Sequence, residues 1–126
     1  MGVTNACLAV LSGLTTNVGS QTAFTYIAVG SGTTAFTASQ TALVTELTDS
    51  GLERASVTPT RVTTTQTNDT SQWSKTWTAS GTKTVAEVGV FNAASTGTMG
   101  SRYVLGTARS LVSGDTCTIT VRWVYS

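Results

Sequence analysis

The sequence has no histidine, a single proline and two cysteines, and charged residues make up only 10% of its 126 positions. Charged residues make up about 25% of an ordinary soluble domain, and a coiled coil is rich in Glu, Lys and Arg, so a long charged helix is excluded. Without histidine the chain lacks the commonest general base, the usual activator of a Ser or Cys nucleophile and the commonest metal ligand. We therefore expect a protein that is not an enzyme and that requires no cofactor or metal ion.

Charge of either sign is scarce and balanced. Seven basic residues against six acidic ones leave a net charge of +1, without the basic stripe typical of proteins that bind nucleic acid. The apolar run at residues 6–11 follows no Lys or Arg and is far shorter than the roughly 20 residues that span a bilayer. We therefore expect no nucleic-acid partner, no membrane partner and no signal peptide.

Hydroxyl residues are abundant instead, since 28 Thr and 14 Ser make up one third of the chain. Thr is β-branched, favours strands and covers a sheet face with polar groups that carry no charge. The length suits one domain that spans residues 1–126. A mean hydropathy of +0.12 with so little net charge argues against disorder driven by charge repulsion.

Short segments typical of strands recur along the chain and are separated by turns rich in Gly, Asn and Asp. They lie at residues 24–29, 52–57, 61–67, 71–79, 85–91, 102–107 and 116–125. Six or seven such strands predict a mainly β protein, a single-domain antiparallel β-sandwich. In the last segment Ile119, Val121 and Trp123 share one face by the period-2 pattern, and we expect them in the core.

One or two short helices are predicted in the N-terminal half. Thr4 or Asn5 can cap a helix at residues 5–12, with Gly13 as its stop. A second helix is predicted near residues 39–47, and both predictions rest on the spacing of apolar residues.

The carboxylates are scattered over predicted loops and strands, and none forms a pair suited to glycoside hydrolysis. Asp69 and Asp115 stand in turn sequences, where such side chains bond to the local backbone. Glu87 lies within an apolar strand segment, so we predict that it is paired with Arg102 or Arg54 rather than catalytic.

The two cysteines, Cys7 and Cys117, are far apart in the sequence. We favour two buried free thiols that pack as small apolar groups, and a disulfide between them is the alternative. Two cysteines without histidine or a cluster of carboxylates do not make a zinc site.

Three residues in the strand at residues 71–79 are candidates for partner binding: Trp73, Lys75 and Trp77 share one face. Two interpretations are open for the tryptophans. They pack in the core, or they form an exposed aromatic ridge that binds a partner or a sugar.

Four segments occur in an order that resembles small virion structural proteins of tailed bacteriophages. They are FTYIAVGSGTTAFTASQTAL (24–43), RVTTTQTNDTSQ (61–72), VAEVGVFNAASTGTMGSR (85–102) and SGDTCTITVRW (113–123). The most characteristic piece is EVGVFNAASTGTM at residues 87–99. Members of this kind are capsid decoration (cement) proteins or tail-fibre-like proteins, and the shared motifs are structural, so no catalytic residue is implied.

The resemblance implies a virion protein that is made in the cytoplasm of the host bacterium. Because the chain carries no shaft repeat or coiled coil, we expect a decoration protein that binds and stabilises the assembled shell. Its partners would be the major capsid protein and further copies of itself, in a homo-oligomer. The alternatives are a tail protein (a fibre or collar attachment domain, or a tube-like subunit) and a carbohydrate-binding module that uses Trp73 and Trp77.

Overall fold

Two antiparallel β-sheets face each other across the main hydrophobic core in the computed structural model, which describes residues 2–125. The elements in chain order are β1 (Gly2–Val3), α1 (Asn5–Thr16), β2 (Tyr26–Gly30), β3 (Ala55–Ser56), β4 (Thr60–Val62), β5 (Thr70–Thr78), β6 (Lys83–Phe91), β7 (Met99–Leu111) and β8 (Thr116–Val124). The five-stranded sheet has the order β1-β7-β6-β2-β3, and the three-stranded sheet has the order β4-β5-β8. The predicted mainly β, antiparallel sandwich is confirmed.

The core lies between β2 and β6 of the larger sheet and β5 and β8 of the smaller one. Val121 and Trp123 on β8 are buried, and Ile119 is partly buried against the same cluster, as predicted from the alternation of the last strand. The opposite face of β8 carries exposed Thr118 and Thr120. Period-2 alternation therefore decides which side of this strand meets the core.

The helix α1 begins at the predicted position but extends further than predicted. The Thr4 hydroxyl accepts a hydrogen bond from the backbone N–H of Cys7 at 3.1 Å and caps the first turn. Gly13 does not end the helix, because the chain turns only at Asn17, which adopts a left-handed φ of 56°. The Val18 N–H then donates to the Gly13 carbonyl at 3.0 Å. Within residues 2–125 no helix is long and apolar enough to cross a membrane.

The second predicted helix is wrong, because residues 39–47 form an irregular segment. The backbone N–H groups of Val44 and Thr45 donate to the Glu87 carboxylate, at 3.1 and 2.8 Å, instead of to carbonyls one helical turn earlier. The buried Glu87 carboxylate on β6 therefore accepts the N–H groups that a helix would have bonded internally.

Several strand boundaries also differ from the prediction. The strand expected at residues 61–67 ends with β4, because the Asp69 carboxylate accepts hydrogen bonds from the N–H groups of Thr64, Thr65 and Gln66 and folds this stretch into a loop. β3 is shorter than predicted, whereas β7 begins earlier and ends later than predicted.

Candidate functional site

The tryptophans proposed as partner-binding residues lie in the core. Trp73 and Trp77 on β5 are each 3% exposed, and Lys75 between them is half-buried. The Nε1 group of Trp73 donates to the Phe24 carbonyl at 2.8 Å, and that of Trp77 donates to the Glu53 carbonyl at 2.9 Å. The core-packing interpretation is therefore confirmed, and the exposed aromatic ridge is wrong, because both rings fill the space between the sheets with their N–H groups satisfied.

Trp73 belongs to an aromatic cluster with Trp123 and Phe24. The Trp73 and Trp123 ring centroids are 4.6 Å apart, and Phe24 meets Trp123 edge-on at 5.3 Å. Trp123 Nε1 donates to the Ser101 hydroxyl on β7 at 2.9 Å, which ties the two sheets together at this point. Ring packing and this hydrogen bond therefore link β5, β7 and β8.

The buried carboxylate Glu87 forms an ion pair with Arg102, which was one of its two predicted partners. Arg102 Nε donates to Glu87 Oε2 at 2.6 Å, and neither side chain is exposed. Burial by itself raises the pKa of the Glu87 carboxyl, but the hydrogen bonds from Thr45, Arg102 and Val44 outweigh it, so that the net pKa is lowered. An ionised carboxylate enclosed in this way holds the loop before β3 in place and has no access to a substrate.

The other predicted partner of Glu87, Arg54, pairs with Glu46 at 2.7 Å and lies over the Phe91 ring at 3.6 Å. It also donates to the carbonyls of Ala93 and Thr96 in the loop between β6 and β7. Arg54 is thus a structural anchor for that loop.

The turn carboxylates behave as predicted. Asp69 accepts three backbone N–H groups, and Asp115 accepts the N–H of Val112 at 2.9 Å. In the part of the chain that the structure describes, no three His, Cys, Asp or Glu side chains group closely enough to hold a metal ion.

The cysteines are unpaired, as favoured from the sequence. Cys7 lies on the buried side of α1, whereas Cys117 on β8 is half-buried. Burial raises the pKa of the Cys7 thiol to about 11, and it raises that of Cys117 as well. Both groups therefore remain thiols at neutral pH and pack against the core.

Two open grooves share Glu46 in their walls. The larger, of about 490 Å³, is lined mainly by Thr and Ser hydroxyls and by Lys83 and Asp49, whose side chains pair at 2.8 Å. The smaller, of about 350 Å³, contains the Glu46–Arg54 pair. In both grooves the cation that lines the wall already contacts an anion.

A different surface is apolar, and we call it the α1–β8 patch: Leu8, Leu11, Leu14, Val124 and Tyr125. Four of these side chains are 39–59% exposed, and Leu11 is half-buried. A groove of about 370 Å³ runs between the helix and the end of β8, and a second hollow of about 200 Å³ continues it past Leu14. Trp123 lies in the wall of both, so the aromatic cluster underlies the patch.

The sequence contained a signal for this patch that the prediction did not use. Leu8, Leu11 and Leu14 recur every three residues in a helix without a charged residue, whereas Cys7 and Val10 already supply its buried side. When a helix carries apolar residues outside its core-facing side as well, those side chains face either solvent or a partner.

No protein-family model, curated protein or solved structure matches the chain.

Proposed function

We propose that this protein is a non-enzymatic structural component of a bacteriophage virion, a decoration (cement) protein that binds the assembled capsid shell. The observation that carries the proposal is the α1–β8 patch, which we assign to the contact with the major capsid protein. The order of the sequence motifs that resemble phage virion proteins supports the choice of partner.

The chemistry of the patch favours a protein partner over a charged ligand. Contiguous exposed apolar side chains on a folded domain mark interaction surfaces. Arg122 is the one charged residue that lines the 370 Å³ groove of the α1–β8 patch. Docking there removes apolar area from water and desolvates few charged groups. The contact we propose therefore depends little on ionic strength.

The stabilising effect on a shell follows from mass action. A protein that binds the assembled shell and not its dissociated subunits raises the free energy required to disassemble it. Many copies on a closed lattice, each touching neighbouring capsomers, add weak contacts into a large total. A small sandwich with a net charge of +1 suits this role because neighbouring copies repel each other little.

The test is thermal DNA release from three kinds of particle: complete, lacking this protein, and reconstituted with purified protein. We expect particles without the protein to assemble but to release DNA at lower temperature, and wild-type protein to restore the original value. Leu8→Ser removes an exposed patch side chain and should weaken binding to the shell about tenfold. Val44→Ser, at a similarly exposed position outside the patch, is the matched control.

The tail alternative gives a different result in the same experiment. Unchanged shell melting with loss of host adsorption would refute the cement proposal and favour a tail protein. Copy number per virion, measured by gel densitometry, separates the cement and tail proposals independently. A shell component that covers a closed lattice is present in on the order of hundreds of copies, whereas a fibre protein is present in few.

A further inference from the structure

A long segment without regular secondary structure lies against the start of α1, and we call it the strap: residues 31–45. Between Gly32 and Leu43, which are buried, every residue of the strap is exposed or half-buried. Stabilisation by apolar packing scales with the area removed from water, so packing contributes little to the course of the chain between these two points. Polar contacts therefore hold the middle of the strap in place.

The buried ion pair supplies the first of these contacts. The Glu87 carboxylate accepts backbone N–H groups near both ends of the strap, from Gly32 at 3.2 Å and from Thr45 at 2.8 Å. Its partner Arg102 donates from Nη1 to the Thr34 carbonyl at 2.8 Å. The strap is thus bonded to the pair at its two ends and at one point between them.

Gln40 extends this network to the exposed middle of the strap. Its Oε1 atom accepts hydrogen bonds from Arg102 Nη1 and from the Thr37 N–H, and its Nε2 group donates to the Ala35 carbonyl, each at 3.2 Å. One side-chain amide therefore closes the turn at residues 35–40 and ties that turn to the buried ion pair.

The same turn contacts the first residue of α1. The Asn5 N–H donates to the Ala38 carbonyl at 2.8 Å, which satisfies one of the N–H groups that have no partner within a helix. The preceding residue, Thr4, is held differently, because its N–H donates to the Gly100 carbonyl on β7 at 2.9 Å. The two adjacent amides are therefore protected by different partners, one on the strap and one on the large sheet.

A second contact joins the strap to the chain that enters α1. The half-buried Phe36 ring lies so close to the backbone of Gly2 that a side chain at that position would overlap it. Gly2 is in turn the partner of Arg102 in the β1–β7 ladder. The ion pair, the strap and the start of the chain thus meet at one place.

We propose that Gln40 is a positioning residue for the α1–β8 patch. By closing the strap onto Asn5, it links the buried Glu87–Arg102 pair to the helix that carries Leu8. Without this contact the first turn of α1 loosens, and ordering it again on docking costs free energy that a preorganised surface avoids. The inference rests on the function proposed above for the use of the patch, whereas the link from Gln40 to α1 is tested without a capsid.

The first test is amide hydrogen exchange of the full chain, resolved by residue with NMR spectroscopy. Gln40→Ala removes the three side-chain contacts and leaves every backbone group in place, so we expect the Asn5 amide to exchange about tenfold faster. The Thr4 amide should be unchanged. Gln66→Ala, at an exposed position in the loop between β4 and β5, is the matched control and should change neither amide. Equal exchange of Asn5 in wild type and Gln40→Ala would overturn the proposal.

Gln40→Glu separates hydrogen bonding from the mere presence of a long side chain. Its carboxylate oxygens can accept from Arg102 and from the Thr37 N–H but cannot donate to the Ala35 carbonyl. We therefore expect Asn5 exchange nearer to the wild-type rate than to that of Gln40→Ala. Exchange as fast as in Gln40→Ala would refute the link through Arg102.

The second test is binding of Gln40→Ala to particles that lack this protein. We expect the affinity to fall about fivefold, because the patch must be ordered on docking, while the free protein keeps a cooperative thermal transition. Gln66→Ala should bind as the wild type does. Faster Asn5 exchange with unchanged affinity would overturn the positioning role. Failure of the wild type to bind would instead refute the proposed function, and the link from Gln40 to α1 would still stand or fall by the exchange rates.

Discussion

Arg102 on β7 donates to the carboxylate of Glu87 on β6 at 2.6 Å, and both side chains are closed off from solvent. The same carboxylate accepts the N–H groups of Gly32, Val44 and Thr45, and Arg102 also donates to the Thr34 carbonyl. One buried ion pair thus supplies hydrogen-bond partners to a long segment that has almost no secondary structure of its own.

Replacing Glu87 with Gln should destabilise the fold strongly, because the Arg102 cation stays buried without its counter-ion. Breaking a buried pair from one side costs about 3–5 kcal/mol in the free energy of unfolding. Lys83→Gln breaks the exposed pair with Asp49 and should cost about 1 kcal/mol or less. Urea unfolding measures both variants, and equal losses would contradict the structural role assigned to Glu87.

Stability should fall in acid and show no transition near pH 6–7, because the chain has no histidine. The pKa of Asp69 is lowered by the N–H groups of Gln66, Thr64 and Thr65, and that of Glu87 is lowered as described above. For a group whose folded pKa is depressed, the stabilisation is complete above the ordinary pKa and is lost as pH falls through the folded value. We expect a constant melting temperature down to about pH 5 and a decline below about pH 4.

Asp69→Asn isolates the part of this acid transition that arises in the loop between β4 and β5. The amide oxygen replaces only part of the acceptor capacity, so the variant should melt lower at pH 7 and show a shallower decline in acid. Melting curves across a pH series measure the difference. A decline identical to that of the wild type would show that Asp69 does not contribute to it.

Val121→Asp should prevent folding, because it places an unpaired carboxylate where the wild-type side chain is 3% exposed. Thr120→Asp puts the same charge on the exposed face of the same strand and should keep a cooperative thermal transition. A native-like melt of Val121→Asp would mean that β8 presents its other face to the core.

The two thiols should differ in reactivity. Cys7 is fully buried and its pKa is about 11, whereas Cys117 is half-buried. In native protein at pH 8 we expect slow labelling of Cys117 by an aromatic disulfide reagent and almost none of Cys7. In urea both should react at the same rate, and rapid native labelling of Cys7 would contradict its burial on the core-facing side of α1.

Local patterns along the chain were sufficient for much of the β structure. Alternation in β8 identified Val121 and Trp123 as core residues, and Thr4 was one of the two residues predicted to cap the first helix. These features depend on neighbours within a few positions, where side-chain periodicity and hydrogen-bonding capacity act directly.

The segment at residues 39–47 shows why the local spacing of apolar residues predicted a helix that does not form. Leu43 and Leu47 are spaced as on one helical face, and both are buried, so the apolar positions were right. The conformation is decided by Glu87, more than forty positions away, which takes the N–H groups that a helix would use. A long-range acceptor leaves no trace in the local sequence.

By itself the sequence determined the class of protein: a neutral, Thr-rich β domain whose last strand has one apolar face, because composition and period-2 alternation act through short-range geometry. Tertiary structure alone decided that Trp73 and Trp77 lie in the core, since alternation puts them on one face without saying what covers it. It also decided that Leu8 and Leu14 remain exposed and that one edge of β8 has no partner strand in residues 2–125. Exposure is a property of how the helix and the two sheets pack, and that packing joins residues from the whole length of the chain.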